Sequence, residues 1–205
     1  MRKKLALIGL GVAFLLGANS IKGLASINYE KSPVKKIEAI LEEETYPTSK
    51  GLFTTNNFCK DNDQTILARM LLGEAEGCSD MEMIAIAYTA ITRTNDGIKR
   101  NGETLQEVIL KPRQYSCFNL DNPRREILEN PLKYNSKEFM RCLRISKNIL
   151  EGRYENPVPN SDHYFNPRLV DKPNWANKLK KIGRIKVGET EKGSPIWSIH
   201  IFYRE

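Results

Sequence analysis

The sequence has only two histidines, His163 and His200, and four cysteines whose spacings match no zinc-binding motif. We therefore expect neither a metal site nor a cofactor. Basic residues are interleaved with acidic ones, so the chain lacks the basic stripe that nucleic-acid-binding proteins usually carry. No nucleic-acid partner is predicted. Beyond the N-terminal segment, no apolar run is long enough to cross a bilayer.

The first 25 residues have the pattern of a secretory signal peptide. A basic start is followed by an apolar run from Leu5 to Ala18 and then by small residues. The apolar run has 14 residues, whereas a membrane-spanning helix needs roughly 20. Residues 1–25 are therefore predicted to be a cleaved signal peptide, and an uncleaved N-terminal anchor is the alternative. We expect a secreted protein of the cell wall or periplasm, with no stable membrane insertion after cleavage.

The charge and the remaining length indicate one domain that meets an anionic polymer. Removal of residues 1–25 takes away four basic and no acidic residues, so the formal net charge falls from +7 to +3. A mildly basic surface suits an anionic polymer such as cell wall. Residues 26–58 have mixed charge and few aromatics, which is typical of a spacer. Residues 59–205 are long enough for a single domain with its own core, and we expect a monomer.

The cysteines are even in number and lie in a chain with an export signal. Oxidation is allowed outside the cytosol, so two disulfides are predicted. Three pairings are open, and the alternative is four buried thiols. The residues concerned are Cys59, Cys78, Cys117 and Cys142.

The pattern of apolar residues predicts a mainly α, α+β fold with a small C-terminal β-hairpin. Capping signals and breakers place four helices: from Asp63 to Gly77, from Asp80 to about Asn95 behind the capping box Ser79-x-x-Glu82, from Thr104-x-x-Glu107 to Pro112, and from Ser136 to Leu150. Strand-like segments at Ile182–Val187 and Ile196–Tyr203 are separated by a turn-rich connection.

Glu74 is the strongest catalytic candidate. It lies one helical step beyond Met70 and one heptad beyond Leu67, so it belongs to the inward face of the first helix. Burial makes a carboxyl group costly to ionise and raises its pKa, as a general acid requires. Glu76 is rotated by about 200° from Glu74 and should face outward. The alternative is a structural Glu74 that pairs with an arginine such as Arg69 or Arg93.

Three features recur in order along the chain: Gly73-Glu74-Ala75, Gln114-Tyr115-Ser116, and His163-Tyr164-Phe165-Asn166-Pro167 followed by Trp175 and Ile182-Gly183. Together they resemble the cell-wall hydrolase domain of the SleB/CwlJ spore cortex-lytic family. The resemblance covers about Asp63 to Tyr203. One departure is a turn-rich insertion between Ile182-Gly183 and His200, where the family has a close Ile-Gly-x-His ending.

The resemblance implies a lysozyme-like, mainly helical fold and cleavage of peptidoglycan glycan strands. It places the catalytic acid/base at Glu74. The family is similar to lytic transglycosylases, in which the muramic acid 6-hydroxyl attacks the anomeric carbon and a 1,6-anhydro sugar forms. The side chains expected to bind the sugars are Gln114, Tyr115, Ser116, Tyr164, Asn166 and Trp175. Each has a structural alternative, since the aromatics are as readily core residues and Asn166 before Pro167 can shape a turn. His163 is expected to be structural, and His200 to point away from Trp197.

Three other functions remain open. A hydrolytic muramidase or glucosaminidase would need a second carboxylate, for which Asp121, Asp162 and Glu76 are the candidates. A wall peptidase would use Cys117 as nucleophile with His163 or His200 as base. An inactive peptidoglycan-binding module would hold the substrate without cleaving it.

Overall fold

The structure is a computed structural model that describes residues 53–98 and 101–205. The predicted signal peptide, residues 1–25, and most of the predicted spacer, residues 26–58, lie outside the described residues. Within them the chain is mainly helical with a small β region at its C-terminal end, as predicted. None of the described helices is long and apolar enough to cross a membrane.

The described elements follow one another in two groups, helices first and strands second. The helices are α1 Asp63–Ala75, α2 Asp80–Asn95, α3 Leu105–Leu110, α4 Arg125–Glu129 and α5 Pro131–Leu150, and the strands are β1 His163–Phe165, β2 Lys180–Gly183, β3 Lys186–Glu189, β4 Pro195–Trp197 and β5 Ile201–Arg204. Single 3-10 turns lie at Phe58–Lys60, Ser116–Phe118 and Asn174–Asn177.

Helix α1 is the central element of the core. Every residue from Thr65 to Gly73 is buried, and α5, α2 and α3 pack around the helix. Its N-cap is Asn62, whose side chain accepts a hydrogen bond from the Thr65 amide at 2.8 Å, and not Asp63 as predicted. The helix ends at Ala75, two residues before the predicted end, and Gly77 then turns the chain with a φ of +80°.

The capping box predicted for α2 is only half formed. The Ser79 side chain accepts a hydrogen bond from the Glu82 amide, but the Glu82 carboxylate does not return to the Ser79 backbone. It accepts hydrogen bonds from His200 instead. At α3 the box is complete, since Thr104 and Glu107 cap each other as predicted.

Helix α5 begins earlier than predicted but is interrupted. It starts at Pro131, and Asn135 leaves the helical conformation with φ −152° and ψ 84°. The Asn135 side chain accepts a hydrogen bond from the Glu138 amide at 3.1 Å, which is an N-cap for the regular helix that follows. The predicted start at Ser136 therefore corresponds to this second, regular part.

The predicted C-terminal hairpin is divided between two small sheets. Strands β3 and β4 pair with each other, whereas β5 is the centre of a separate sheet in the order β1-β5-β2. The break comes at Ser198, whose hydroxyl accepts a hydrogen bond from the Ile185 amide and donates one to the carbonyl of His200. A buried side-chain bridge thus replaces continuous strand pairing.

The disulfide prediction is wrong. All four cysteines are free, with Cys59 exposed and the other three buried. Cys142 lies inside α5 and is fully enclosed in the core, where it acts as a small apolar side chain.

Arg69 is a fully buried cation that ties α1 to the chain before and after it. Its guanidinium donates to the Asp61 carboxylate at 2.7 Å, to the carbonyl of Phe53 at 2.5 Å and to the carbonyl of Leu128. The rings of Phe58 and Phe139 lie 5.5 and 5.8 Å from its Cζ. One side chain therefore satisfies three segments that would otherwise bury unpaired polar groups.

Replacement of Arg69 by methionine should strongly destabilise the fold. The variant keeps a long side chain but leaves the Asp61 carboxylate and two carbonyls without their donor, so we expect the free energy of unfolding to fall by roughly 3–5 kcal/mol. Urea unfolding followed by circular dichroism measures this change. Arg153→Met, at an ion pair with Glu151 in which both side chains are at least 40% exposed, is the control and should lose much less; equal losses would contradict the role of Arg69.

Candidate active site

Glu74 lies in the last turn of α1 with its carboxyl group turned into the protein. Its Oε2 accepts a hydrogen bond from the Tyr164 hydroxyl at 3.1 Å. Its Oε1 is buried and has no hydrogen bond of ordinary geometry among the described residues. Burial raises the pKa of Glu74, and the Cys117 thiol, the Tyr164 hydroxyl, the charge of His200 and the Cys117 backbone amide lower it in part. The arrangement favours the protonated acid.

The arginine pairing that would make Glu74 structural is absent among the described residues. Arg69 binds Asp61, and Arg93 donates to the carbonyl of Asp162 and to the Gln114 side chain. Glu76 is the acid of this pair that has an arginine: its Oε2 lies 2.7 Å from Arg124. The two neighbouring acids therefore differ in environment, as the sequence predicts.

Cys117 forms one wall of the site because the neighbouring residue of Glu74 is a glycine. A Cβ placed on Gly73 would lie 2.5 Å from the Cys117 sulfur, which is closer than atoms can approach. The glycine thus lets the 3-10 turn at Ser116–Phe118 pack directly on α1. Burial and the adjacent Glu74 raise the pKa of the Cys117 thiol well above its ordinary value. A thiol held protonated in this way is a poor nucleophile.

Tyr164 reaches Glu74 from the other side, on β1. It is paired with Phe202 of β5, and its ring lies 5.3 Å from that of His200 in an edge-to-face contact. Burial and the proximity of Glu74 raise the pKa of Tyr164 well above its ordinary value. The hydroxyl therefore stays protonated and remains a hydrogen-bond donor to the carboxylate.

His200 is held by a buried acid that the sequence analysis missed. The Glu82 Oε1 accepts from the His200 amide at 2.7 Å and lies 2.8 Å from His200 Nδ1. Cys78 joins them, with its sulfur within 4.8 Å of the other two potential ligand atoms. This is the group of described residues that offers donors for a metal, although Glu82 and His200 already satisfy each other. The signal in the sequence was an acid within the apolar helix α2.

Of the predicted sugar-binding residues, Gln114, Tyr115 and Ser116 lie on the segment that leads to Cys117. Tyr115 and Ser116 are buried and Gln114 is partly exposed. Burial raises the pKa of Tyr115, and the charge of Glu74 adds to this effect. Arg93 lies 5.8 Å from the centre of the Tyr115 ring and also donates to Gln114. The structure therefore brings this segment together with Glu74 and Tyr164.

The other two predicted sugar-binding residues lie elsewhere. The Asn166 Oδ1 accepts from the amide of Arg168 at 2.9 Å, which shapes the turn after β1. Trp175 packs on His163, Phe165 and Tyr203, which occupy the face of the sheet opposite Tyr164. A surface pocket with Phe165, Ile201 and Tyr203 in its lining also lies on that face. His163 binds the Asp162 carboxylate through Nδ1 at 2.8 Å, which agrees with a structural role.

Residues 77–187 match the family model described as Cell Wall Hydrolase, which is slightly more than half of the chain. The chain belongs to the Cell Wall Hydrolase family. Glu74 lies three residues before the matched segment. No curated protein matches the chain. The solved catalytic domain of the germination-specific lytic transglycosylase SleB from Bacillus anthracis is similar at 20% identity and a TM-score of 0.48, covering 74% of this chain and 100% of that one.

The number of reactive thiols in this cell wall hydrolase should change on unfolding. Because Cys59 is exposed and the other three cysteines are buried, we expect a thiol reagent to modify one group per native chain rapidly and four groups after denaturation. Ellman titration measures both numbers. Two or four blocked thiols in the denatured, unreduced protein would restore the disulfide prediction, and fast native reaction of Cys117 would restore the thiol nucleophile.

Proposed function

We propose that this cell wall hydrolase is an exported lytic transglycosylase that cleaves peptidoglycan glycan strands with Glu74 as general acid and then base. The observation that supports the proposal is a buried carboxyl group with a raised pKa and no second carboxylate among the groups that shift it. A lytic transglycosylase needs only one acid, because a hydroxyl of the substrate is the nucleophile.

In the proposed reaction Glu74 donates its proton to the glycosidic oxygen as the bond from that oxygen to the anomeric carbon breaks. The resulting carboxylate accepts the proton of the muramic acid 6-hydroxyl while that oxygen attacks the anomeric carbon. The products are a free hydroxyl on one fragment and a 1,6-anhydro end on the other, and Glu74 regains its proton. The Tyr164 hydroxyl, 3.1 Å from Oε2, stabilises the carboxylate between the two transfers.

The partners of the other acids favour this proposal over a water-delivering glycosidase. Such an enzyme needs a carboxylate about 5–5.5 or 6.5–9.5 Å from the acid. Glu76 binds Arg124, Asp162 binds His163, and Asp121 is exposed on the surface. Glu82 is buried but engaged by His200. Each candidate therefore has another role or position.

The substrate contacts are proposed for the segment nearest the acid. Gln114 is partly exposed and would present its amide to an N-acetyl group, with Arg93 holding its oxygen. Tyr115 and Ser116 are buried and would hold the Gln114 segment in place. Asn166 and Trp175 are not included, since their contacts lie in a turn and on the opposite face of the sheet.

Glu74→Gln should abolish product release while leaving the fold intact. Loss of a general acid lowers turnover by roughly 10²–10⁴-fold. Mass spectrometry of the soluble products from purified peptidoglycan should show anhydro-muropeptides for the parent and none for the variant. Products heavier by one water would identify a hydrolase instead, and full activity of Glu74→Gln would remove Glu74 from the mechanism.

The same variant should be at least as stable as the parent at pH 7 to 8. Because the pKa of Glu74 is raised in the folded state, the protein loses stability as pH rises from the unfolded pKa of this carboxyl group to its folded pKa, and no further above it. Glutamine has no charge to bury. Thermal unfolding at pH 4 and pH 8 should show a smaller pH dependence for Glu74→Gln, and a less stable variant at pH 8 would contradict the burial argument.

Tyr164→Phe should move the alkaline limb of the pH–activity profile to higher pH. The tyrosine hydroxyl favours the ionised form of Glu74, so its removal raises the pKa of the acid further. Activity requires the protonated acid and is lost as pH rises through that pKa. We expect a lower maximal rate and an upward-shifted limb; Tyr88→Phe, on a hydroxyl bonded to the carbonyl of Tyr154, is the control and should leave the limb in place.

A further inference from the structure

The segment from residue 178 to 197, called the basic arm, carries a run of exposed basic side chains. Residues 178–192 contain six basic and two acidic residues, a net charge of +4. Residues 133–147 of α5 have the same net charge, but three of their five basic side chains are only partly exposed. All six basic side chains are exposed: Lys178, Lys180, Lys181, Arg184, Lys186 and Lys192.

The basic arm also exposes large apolar side chains. Trp197 is 53% exposed, Ile196 is 45% exposed and Ile182 is 38% exposed. Strands β3 and β4 form a two-stranded sheet of their own in which Trp197 lies opposite Lys186. An isolated two-stranded hairpin with an uncovered tryptophan gains little from its own packing. Such a residue marks a contact surface rather than a core position.

The basic arm is fixed next to the residues around Glu74. Arg184 donates to the carbonyl of Ser198 at 2.6 Å, and the Ser198 amide donates to the carbonyl of Ile185 at 2.8 Å. Ile185 packs against the main core. Two residues beyond Ser198 lies His200, whose ring contacts Tyr164. The arm therefore projects from an anchored base on the same chain segment that reaches the site.

We propose that the basic arm is a second contact surface for peptidoglycan, with Trp197 lying against a sugar ring and the surrounding lysines binding carboxylates of the stem peptides. This inference rests on the proposed function for the identity of the polymer. A glycan strand offers apolar sugar faces, and its peptides offer negative charge, which matches the two properties of the arm. The insertion that departs from the family pattern thus adds binding to the substrate without changing the acid.

Binding is best measured in the Glu74→Gln background, where the polymer is not consumed. The probe is insoluble peptidoglycan stripped of phosphate-containing polymers, and the bound fraction is measured by sedimentation over a range of protein concentrations. Trp197→Ala should lower the affinity roughly fivefold. Leu169→Ala removes a side chain that is 72% exposed outside the arm, and it should bind as the parent does.

The charge contribution has a matched control of equal net charge. Lys180→Gln combined with Lys192→Gln should weaken binding and make it less dependent on salt concentration, because two lysines no longer pair with carboxylates of the polymer. Lys133→Gln combined with Lys137→Gln removes two exposed lysines from α5 and should change neither. Equal effects of the two pairs would show a general charge effect and overturn the role of the arm.

The other outcomes also decide the matter. Unchanged binding by Trp197→Ala and by the Lys180/Lys192 variant overturns the proposal. Binding only to cell wall that retains its phosphate polymers also overturns it. A third such outcome is that Trp197→Ala weakens binding to vesicles of phosphatidylglycerol and phosphatidylcholine but not to peptidoglycan. Failure of the proposed function is separate, since it appears as retained activity of Glu74→Gln or as products without anhydro ends, whatever the arm binds.

Discussion

The burial of one carboxyl group that no arginine or lysine of the described residues binds is the constraint on which the site depends. A buried acid that meets an arginine loses its proton, and its pKa falls. The arginines near the Glu74 helix are all occupied: Arg69 by Asp61, Arg93 by Gln114 and Asp162, and Arg124 by Glu76. Glu74 is left with the protonated Tyr164 hydroxyl and Cys117 thiol, and with the charge of His200, which lowers its pKa only in part. The cost of this arrangement is what keeps its proton available near neutral pH.

The packing of the core compensates for the free-energy cost of burying Glu74, so helix α1 stays folded. Helix α1 is buried along most of its length. Arg69, five residues before Glu74, fixes the helix to the segments that precede and follow it. Gly73 lets Cys117 cover the acid at a distance that no other residue would permit. The favourable burial of the apolar residues of α1 therefore offsets the unfavourable burial of a single polar group.

Local patterns in the sequence predicted what local interactions determine. The inward position of Glu74 follows from helical spacing, and the start of the regular part of α5 at Ser136 follows from its capping residue Asn135. The Ser79-x-x-Glu82 box is only half formed, because the Glu82 side chain binds a residue 118 positions away, which no local pattern predicts. The predicted disulfides are absent for a related reason. An even number of cysteines and an oxidising compartment do not determine where each thiol packs in the fold.

The protonated hydroxyl and thiol beside Glu74 suit the acid/base role that is proposed for it. Tyr164 and Cys117 have raised pKa values, so they remain protonated in both steps and can stabilise a transient carboxylate only by hydrogen bonding. A cation in their place would stabilise the carboxylate permanently and remove the acid. Any positive charge needed to hold an anionic polymer must then lie away from Glu74, and residues 178–192 carry six exposed basic side chains. If Glu74 is to stay protonated, the basic residues that bind the polymer have to lie at a distance from it.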